Sequence, residues 1–152
     1  MPDLLVRLYD LPAPPPNPAD ELVRRAFTAE KGLVVEWIRK QFKPGWASEA
    51  DAAFARLPVS CFIAVEDGQL RGFACYDATA RGFFGPFGVA ESARDRGLGR
   101  ALLHLTLRDM RANGYAYAII GCAAETDFYR NEVGATVIAN SDPGPYRGML
   151  RV

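Results

Sequence analysis

At 152 residues the chain has the size of one domain, long enough to bury a continuous core and too short for two full-sized ones. Its 18 lysines and arginines balance 18 aspartates and glutamates, which excludes a global field that would gather nucleic acid or an anionic membrane and points to a small partner. Cys61, Cys75 and Cys122 are odd in number and each sits in an apolar run, which fits reduced thiols better than a disulfide framework; with no basic leader and no apolar run of membrane-spanning length, a soluble cytoplasmic protein is expected.

In chain order, Leu4 to Leu11 reads as a strand, and LPAPPPNPAD then places five prolines between Pro12 and Pro18, an extended connector without regular structure. Asn17, Pro18 and Asp20 read as cap, first helical position and first-turn acid, so a helix is expected from about Pro18. A second helix follows, with Thr28 as cap and Leu33, Val34, Trp37, Ile38 and Phe42 at helical spacing, ended by Pro44-Gly45. Ser48 and Asp51 resemble a capping box that opens a third helix running to Pro58.

Beyond Pro58 the pattern changes. CFIAVE and QLRGFACYDA flank Asp67-Gly68, a dipeptide that tolerates positive φ, and read as a hairpin, with GFFGPFGV as a third strand. The stretch ARDRGLGRA then opens a helix from about Gly97 to Asn113, stopped by Gly114. YAYAIIGC is a strand covered on both faces, Glu125 to Val133 a short helix, and GATVIA and YRGMLRV two closing strands. No repeat and no second domain is evident, so residues 1–152 are expected to form a single α/β domain: one strand, two or three helices, three strands, a helix, a strand, a helix and two strands.

The turn at Gly97-Leu98-Gly99 is neither of the common nucleotide loops. It lacks the Lys-Ser or Lys-Thr of a P-loop, and Leu102 stands where the third small residue of a dinucleotide fingerprint belongs. What remains is a pair of residues without Cβ at a helix N-terminus, where free amides and the helix dipole favour a phosphate-sized anion, although such a pair also serves as a plain tight turn.

The strand GFFGPFGV, then Arg94-x-x-Gly97-x-Gly99, a helix, the strand YAYAIIGC and Phe128-Tyr129 ahead of Gly134 resemble the acetyl-CoA-binding motifs of the GNAT superfamily of N-acetyltransferases, over roughly Phe83 to Val137. Two positions depart from the family pattern: Glu91 stands where proline is frequent, and Gly134 follows Tyr129 by five residues rather than four. The resemblance implies a mixed sheet of about seven strands flanked by helices and splayed between the fourth and fifth. It also implies that the amides of Asp95, Arg96, Gly97, Leu98, Gly99 and Arg100 hold the pyrophosphate of CoA, with Arg94, Arg96 and Arg100 as phosphate partners. Phe87, Gly88 and Val89 would lie along the pantetheine, and Tyr129 would be the general acid.

The chemistry agrees with that reading. Pantetheine carries amides and can pair with an exposed strand edge, which Gly85-Pro86 would create by interrupting the ladder, and an N–H near Val89 could face the thioester carbonyl. A phenol stays protonated at neutral pH and can supply a proton to a departing thiolate. For the base, Asp77, Glu91, Glu125 and water remain open. His104, with Arg100, Arg108 and Arg111 at helical spacing, reads as part of a solvated face, Cys122 as a structural thiol, and no metal site is expected. The expected activity is transfer of acetyl from acetyl-CoA to a primary amine of a small molecule or peptide by direct attack in a ternary complex. A non-catalytic acyl-CoA sensor of the same fold is the alternative. No nucleic acid or membrane partner is expected, and a homodimer is compatible with the sequence.

Overall fold

The computed structural model describes residues 1–151. β1 (Leu4–Arg7) is shorter than expected, because the chain turns through a single 3-10 turn at Leu8–Asp10. The proline connector ends at Asn17, whose side chain does cap the following turn by accepting from the Ala19 N–H, but that turn is five residues of 3-10 helix, Pro18–Leu22, and not an α-helix. It gives way at once to β2 (Val23–Arg25), a strand that the short run VRR did not announce.

α1 (Lys31–Gln41) and α2 (Pro44–Ala53) follow. Thr28 does not cap the first of them; the Glu30 carboxylate accepts the Phe27 N–H at 2.8 Å instead. Pro44 does end α1, yet it also begins α2 as its first residue, because a missing N–H costs nothing in a first turn. Ser48 therefore lies inside a helix it was expected to start. β3 (Cys61–Glu66) and β4 (Gln69–Tyr76) form the expected hairpin, with φ of 52° at Asp67 and 72° at Gly68 as a two-residue turn of this hand requires. β5 (Phe83–Val89), α3 (Leu98–Ala112), β6 (Tyr117–Ile120) and α4 (Thr126–Val133) match their sequence segments, and Gly134 ends α4 in the left-handed region at φ 68°.

The seven strands make one mixed sheet in the order β2-β3-β4-β5-β6-β1-β7, where β7 is only Thr136–Val137. The expected closing strand YRGMLRV does not form over its described residues 146–151; a 3-10 turn at Gly144–Tyr146 runs into its first residue, and Val152 lies outside the described residues. The reason lies at the other terminus: β1 pairs antiparallel with both β6 and β7, and so fills the place between them.

Side chains alternate cleanly across the sheet. Phe62, Ala64, Ala74 and Tyr76 face α3 and α4 and pack with Leu102, Leu103, Leu107 and Met110, all four of which are fully buried. Cys61, Ile63, Phe73 and Cys75 face α1 and α2 and pack with Val34, Ile38, Ala47 and Ala50. Burying each of the larger aliphatic side chains contributes on the order of 1.5–3 kcal/mol, so each helix layer is anchored by several such increments. Among the described residues, no helix is long and apolar enough to cross a membrane.

Candidate active site

β5 and β6 pair in parallel at only two positions, Phe83 with Ile119 and Phe84 with Ile120. Beyond Phe84 comes Gly85, at φ 121°, and then Pro86, which has no N–H to give, and the ladder to β6 stops. On its other side β5 stays joined to β4 through Phe87, Gly88 and Val89, with a register shift between Ala74 and Tyr76 opposite Gly85-Pro86. The Ala90 N–H donates to the Arg71 carbonyl at 2.8 Å, which makes Gly88 and Phe73 a hydrogen-bonded pair and turns the backbone groups of Phe87 and Val89 toward the open edge. This is the expected splay between the fourth and fifth expected strands, numbered β5 and β6 once β2 is counted.

From that edge the chain runs through a 3-10 turn at Glu91–Ala93 and past Arg94 and Asp95 to Gly97, at φ 82°, the residue before α3. Gly97 offers no side-chain cap and its carbonyl receives the first helical bond, from Ala101 at 3.0 Å, so the amides of Leu98, Gly99 and Arg100 have no acceptor within the helix. Leu98 buries its side chain in the core and leaves only its backbone at this end. Gly99 has no unusual backbone angle, and a Cβ there would meet the Phe87 ring at 3.4 Å and the Val89 side chain at 3.7 Å, both ordinary contacts. The fold does not require glycine at 99.

Two of the arginines flanking this N-terminus already hold carboxylates, and the third reaches a backbone carbonyl. Arg96 makes a two-pronged pair with Glu66 of the β3–β4 hairpin, and Arg100 donates from Nε to Glu132 of α4 at 2.7 Å. Arg94 reaches back to the Val89 carbonyl at 3.4 Å. His104 corrects the sequence reading: it is 4% exposed, not a surface residue, with Nε2 3.1 Å from Glu132. Glu132 of α4 reaches over this side of α3 at Arg100 and His104, while Arg108 and Arg111 remain exposed. Burial would push the Glu132 carboxyl up, but hydrogen bonds from His104 and Arg100 outweigh it and hold it below the ordinary glutamate value.

Tyr129 stands on α4 against the start of the splay, with its ring centroid 6.5 Å from those of both Phe84 and Phe87 and 5.2 Å from Phe128. It is 8% exposed, and its hydroxyl meets no hydrogen-bond partner among the described residues. Burial, helped by the nearby Glu125 carboxylate, raises its pKa well above the usual phenol value, so it keeps its proton. Of the candidate bases, Asp77 is spoken for: its carboxylate accepts from Arg56, from the Tyr115 hydroxyl and from the Gly82 N–H, and its side chain is 2% exposed. Glu91 and Glu125 are exposed at element ends. Cys122 is half-buried, and burial with the neighbouring Asp3 carboxylate pushes its thiol up, away from nucleophilic character. An open cleft of about 520 Å³ between Trp37, Gln41, Arg71 and Glu91 lies beside the C-terminal end of β5 and includes neither Phe87 nor Tyr129.

Two residues absent from the sequence reading of this region are Asn17, which touches Gly97, and Glu132, which holds both Arg100 and His104. Both partnerships span tens of residues, and no local pattern announces them.

Residues 32–134, which include the splay and the α3 N-terminus, match the model of the acetyltransferase (GNAT) family. The chain belongs to the GNAT family of acetyltransferases. No curated protein matches it in sequence. Among solved structures the GNAT fold recurs in a GCN5-related glucosamine N-acetyltransferase region of a fungal multi-domain GH3 β-N-acetylglucosaminidase, with a TM-score of 0.72 at 16% identity over 90% of this chain and 19% of that one. It recurs in a GCN5-related N-acetyltransferase from Sphaerobacter thermophilus, TM-score 0.66 at 21% identity over 90% and 48%. A GNAT family acetyltransferase from Brucella melitensis, solved in complex with acetyl-CoA, gives 0.54 at 18% identity over 78% and 86%. The chain thus spans 19% and 48% of the first two of these proteins.

Proposed function

We propose that this GNAT chain, acting as a single domain, is an N-acetyltransferase that moves acetyl from acetyl-CoA to a primary amine of a small molecule or peptide by direct attack in a ternary complex. The observation that carries the reading is the continuity of one backbone path: a strand edge freed at Pro86 leads directly to three uncapped amides at the head of α3. The residues fit the group. Phe87 and Val89 offer an amide-pairing edge to pantetheine, with Gly88 between them, and Leu98, Gly99 and Arg100 offer N–H groups to a pyrophosphate where the helix dipole favours negative charge. Asp95, Arg96 and Gly97 complete the cradle. Arg94, Arg96 and Arg100 surround it, and exposed ion pairs such as that of Arg96 with Glu66 are weak enough for phosphate to displace the carboxylate.

Acetyl-CoA supplies a thioester whose carbon forms the C–N bond as its C–S bond breaks. Phe87 rather than Val89 offers the N–H for the carbonyl oxygen, because Tyr129 sits beside Phe84 and Phe87 and the same group must reach the sulfur. Tyr129 then gives its proton to the departing thiolate, while the amine's surplus proton leaves to a carboxylate or to water. Thiol release measured with a panel of primary amines, beside CoA titration by calorimetry, tests the reading. Amine-dependent thiol release supports it, CoA binding without such release makes the chain a sensor, and no CoA binding removes both.

A further inference from the structure

On the face opposite α3 and α4 the splay is bordered by groups that acetyl transfer as described leaves unused. Cys122 lies two residues past Ile120 on β6 and Pro86 two residues past Phe84 on β5, and Phe84 pairs with Ile120, so Cys122 and Pro86 mark the two banks at one level. The C-terminal segment starts from the β6 bank, where the Pro143 carbonyl is 3.9 Å from the Cys122 sulfur. It ends on α2, where Tyr146 donates its hydroxyl to Glu49 at 2.9 Å. Ala50, the residue after Glu49 on α2, shares its core with Cys75, which lies on β4 between the pairs Ala74–Phe87 and Tyr76–Phe84, opposite Gly85-Pro86. Residues 143–146 therefore cross the sheet from β6 to α2 at the level where β5 parts from β6.

The ground beside this strap is aromatic. Trp46 stands one turn before Glu49 on α2 and stacks on Phe42 with centroids 5.2 Å apart and planes at 29°. Phe42 in turn covers β5 at Gly88, where a Cβ would come within 2.6 Å of its ring. Among the described residues no lysine or arginine pairs with Glu49, whereas its neighbour Asp51 is paired with Lys31 at 2.9 Å.

We propose that Glu49, Trp46 and Phe42 form the acceptor seat, that it selects a cationic amine carried on an apolar or aromatic group, and that Tyr146 closes over it. A carboxylate without a cation beside two stacked rings is the chemistry that recognises an ammonium group, through a charge-assisted hydrogen bond and a cation–π contact. The amine comes from this face because the CoA cradle and Tyr129 occupy the other; the seated ammonium first gives one proton to Glu49 or to water, its lone pair then adds to the open face of the thioester carbonyl, and the tetrahedral intermediate expels the sulfur, which takes its proton from Tyr129. The inference rests on the acetyl-transfer reading.

The test titrates 2-phenylethylamine and its neutral counterpart 2-phenylethanol into the CoA-bound protein by tryptophan fluorescence, for wild type, Glu49→Gln and Tyr146→Phe, with CoA affinity measured separately for each. Wild type binds the amine at least tenfold more tightly than the alcohol, and Glu49→Gln loses roughly ten- to a hundredfold of amine affinity, as expected for a charged hydrogen bond. Tyr146→Phe keeps or improves amine binding, since the competing phenol is gone, and CoA affinity is the same in all three. Equal binding of amine and alcohol, no binding of the amine by wild type, or undiminished amine affinity in Glu49→Gln overturns the proposal. Failure of wild type to bind CoA strikes the acetyl-transfer reading, and with it this inference.

Discussion

Asn17 donates its side-chain nitrogen to the Gly97 carbonyl at 2.8 Å while its Oδ1 accepts the Ala19 N–H at 3.0 Å. One side chain therefore closes the turn after the proline connector and fastens that turn to the residue that starts α3. The head of α3 is thus positioned by a segment 80 residues earlier in the chain.

Gly97 is constrained twice, by φ 82° and by Asn17, whose Oδ1 lies 2.6 Å from where a Cβ would stand. Gly97→Ala is expected to cost more than the roughly 1–2 kcal/mol of left-handed strain alone. Asn17→Ala, which removes a cap, is expected to cost about 1 kcal/mol. The double variant should cost less than the two single losses added together, because deleting the Asn17 side chain relieves the clash while the strain remains. Denaturant unfolding of the four proteins measures this coupling, and strict additivity would rule out the clash.

Gly99 behaves in the opposite way. Its backbone is helical and a Cβ has room, so Gly99→Ala should leave stability unchanged or raise it by up to about 1 kcal/mol, the usual gain of alanine over glycine in a helix. If the amides of 98–100 receive the pyrophosphate, the same methyl lies in the path of the ligand, and CoA affinity should fall, further still for Gly99→Val. Calorimetry and thermal melting on one preparation give the two signs. A variant that is more stable and binds CoA unchanged would remove Gly99 from the cradle.

The parts of the fold legible in the sequence are those set by local chemistry. Asp67-Gly68 fixed a hairpin, Gly97 and Gly114 bounded α3, and Gly85-Pro86 marked where pairing to β6 ends, because each depends on a backbone angle or a missing N–H. What escaped depended on partners far along the chain. β2 is a strand only because β3 offers it an edge, and YRGMLRV is not one because β1 fills the place beside β6 and β7. His104 looked solvated on its own helix and is buried by Glu132 of another. In the candidate site the glycines, the strand edge and Tyr129 were visible as motifs, whereas Asn17 reaches Gly97 across 80 residues, and Tyr146 reaches Glu49 of the proposed acceptor seat across 97.

Glu30 ties the start of α1 to β2. Its carboxyl is held down from 4.5 to about 2, chiefly by the two-pronged bond from Arg24, against burial, with the Phe27 N–H adding to the effect. A depressed acid stabilises the folded state above its unfolded value and loses that contribution as pH falls, here between about 4.5 and 2. Arg24→Gln should therefore be less stable than wild type near pH 6, and the difference should shrink as pH drops through that window. Urea unfolding of both proteins across the range checks the sign; a gap that stays constant or widens toward acid would contradict it.

Tyr129→Phe separates catalysis from binding. The phenol makes no hydrogen bond to the described protein, and its ring packs against Phe84, Phe87 and Phe128, so phenylalanine keeps the packing and removes only a proton donor. Stability should change little, and so should CoA affinity, because an interaction made chiefly in the transition state leaves ground-state binding nearly alone. Turnover should fall by roughly a hundredfold, the low end for general acid catalysis, since a thiolate is already a tolerable leaving group. The raised pKa of the hydroxyl adds a second readout: it stays protonated throughout the neutral range, so the alkaline limb of the wild-type pH–rate profile should not report it. Steady-state rates of both proteins with an active amine, across pH and beside CoA titrations, measure all of this. A phenylalanine variant with undiminished turnover would exclude Tyr129 as the acid and leave the proton to water at the mouth of the splay.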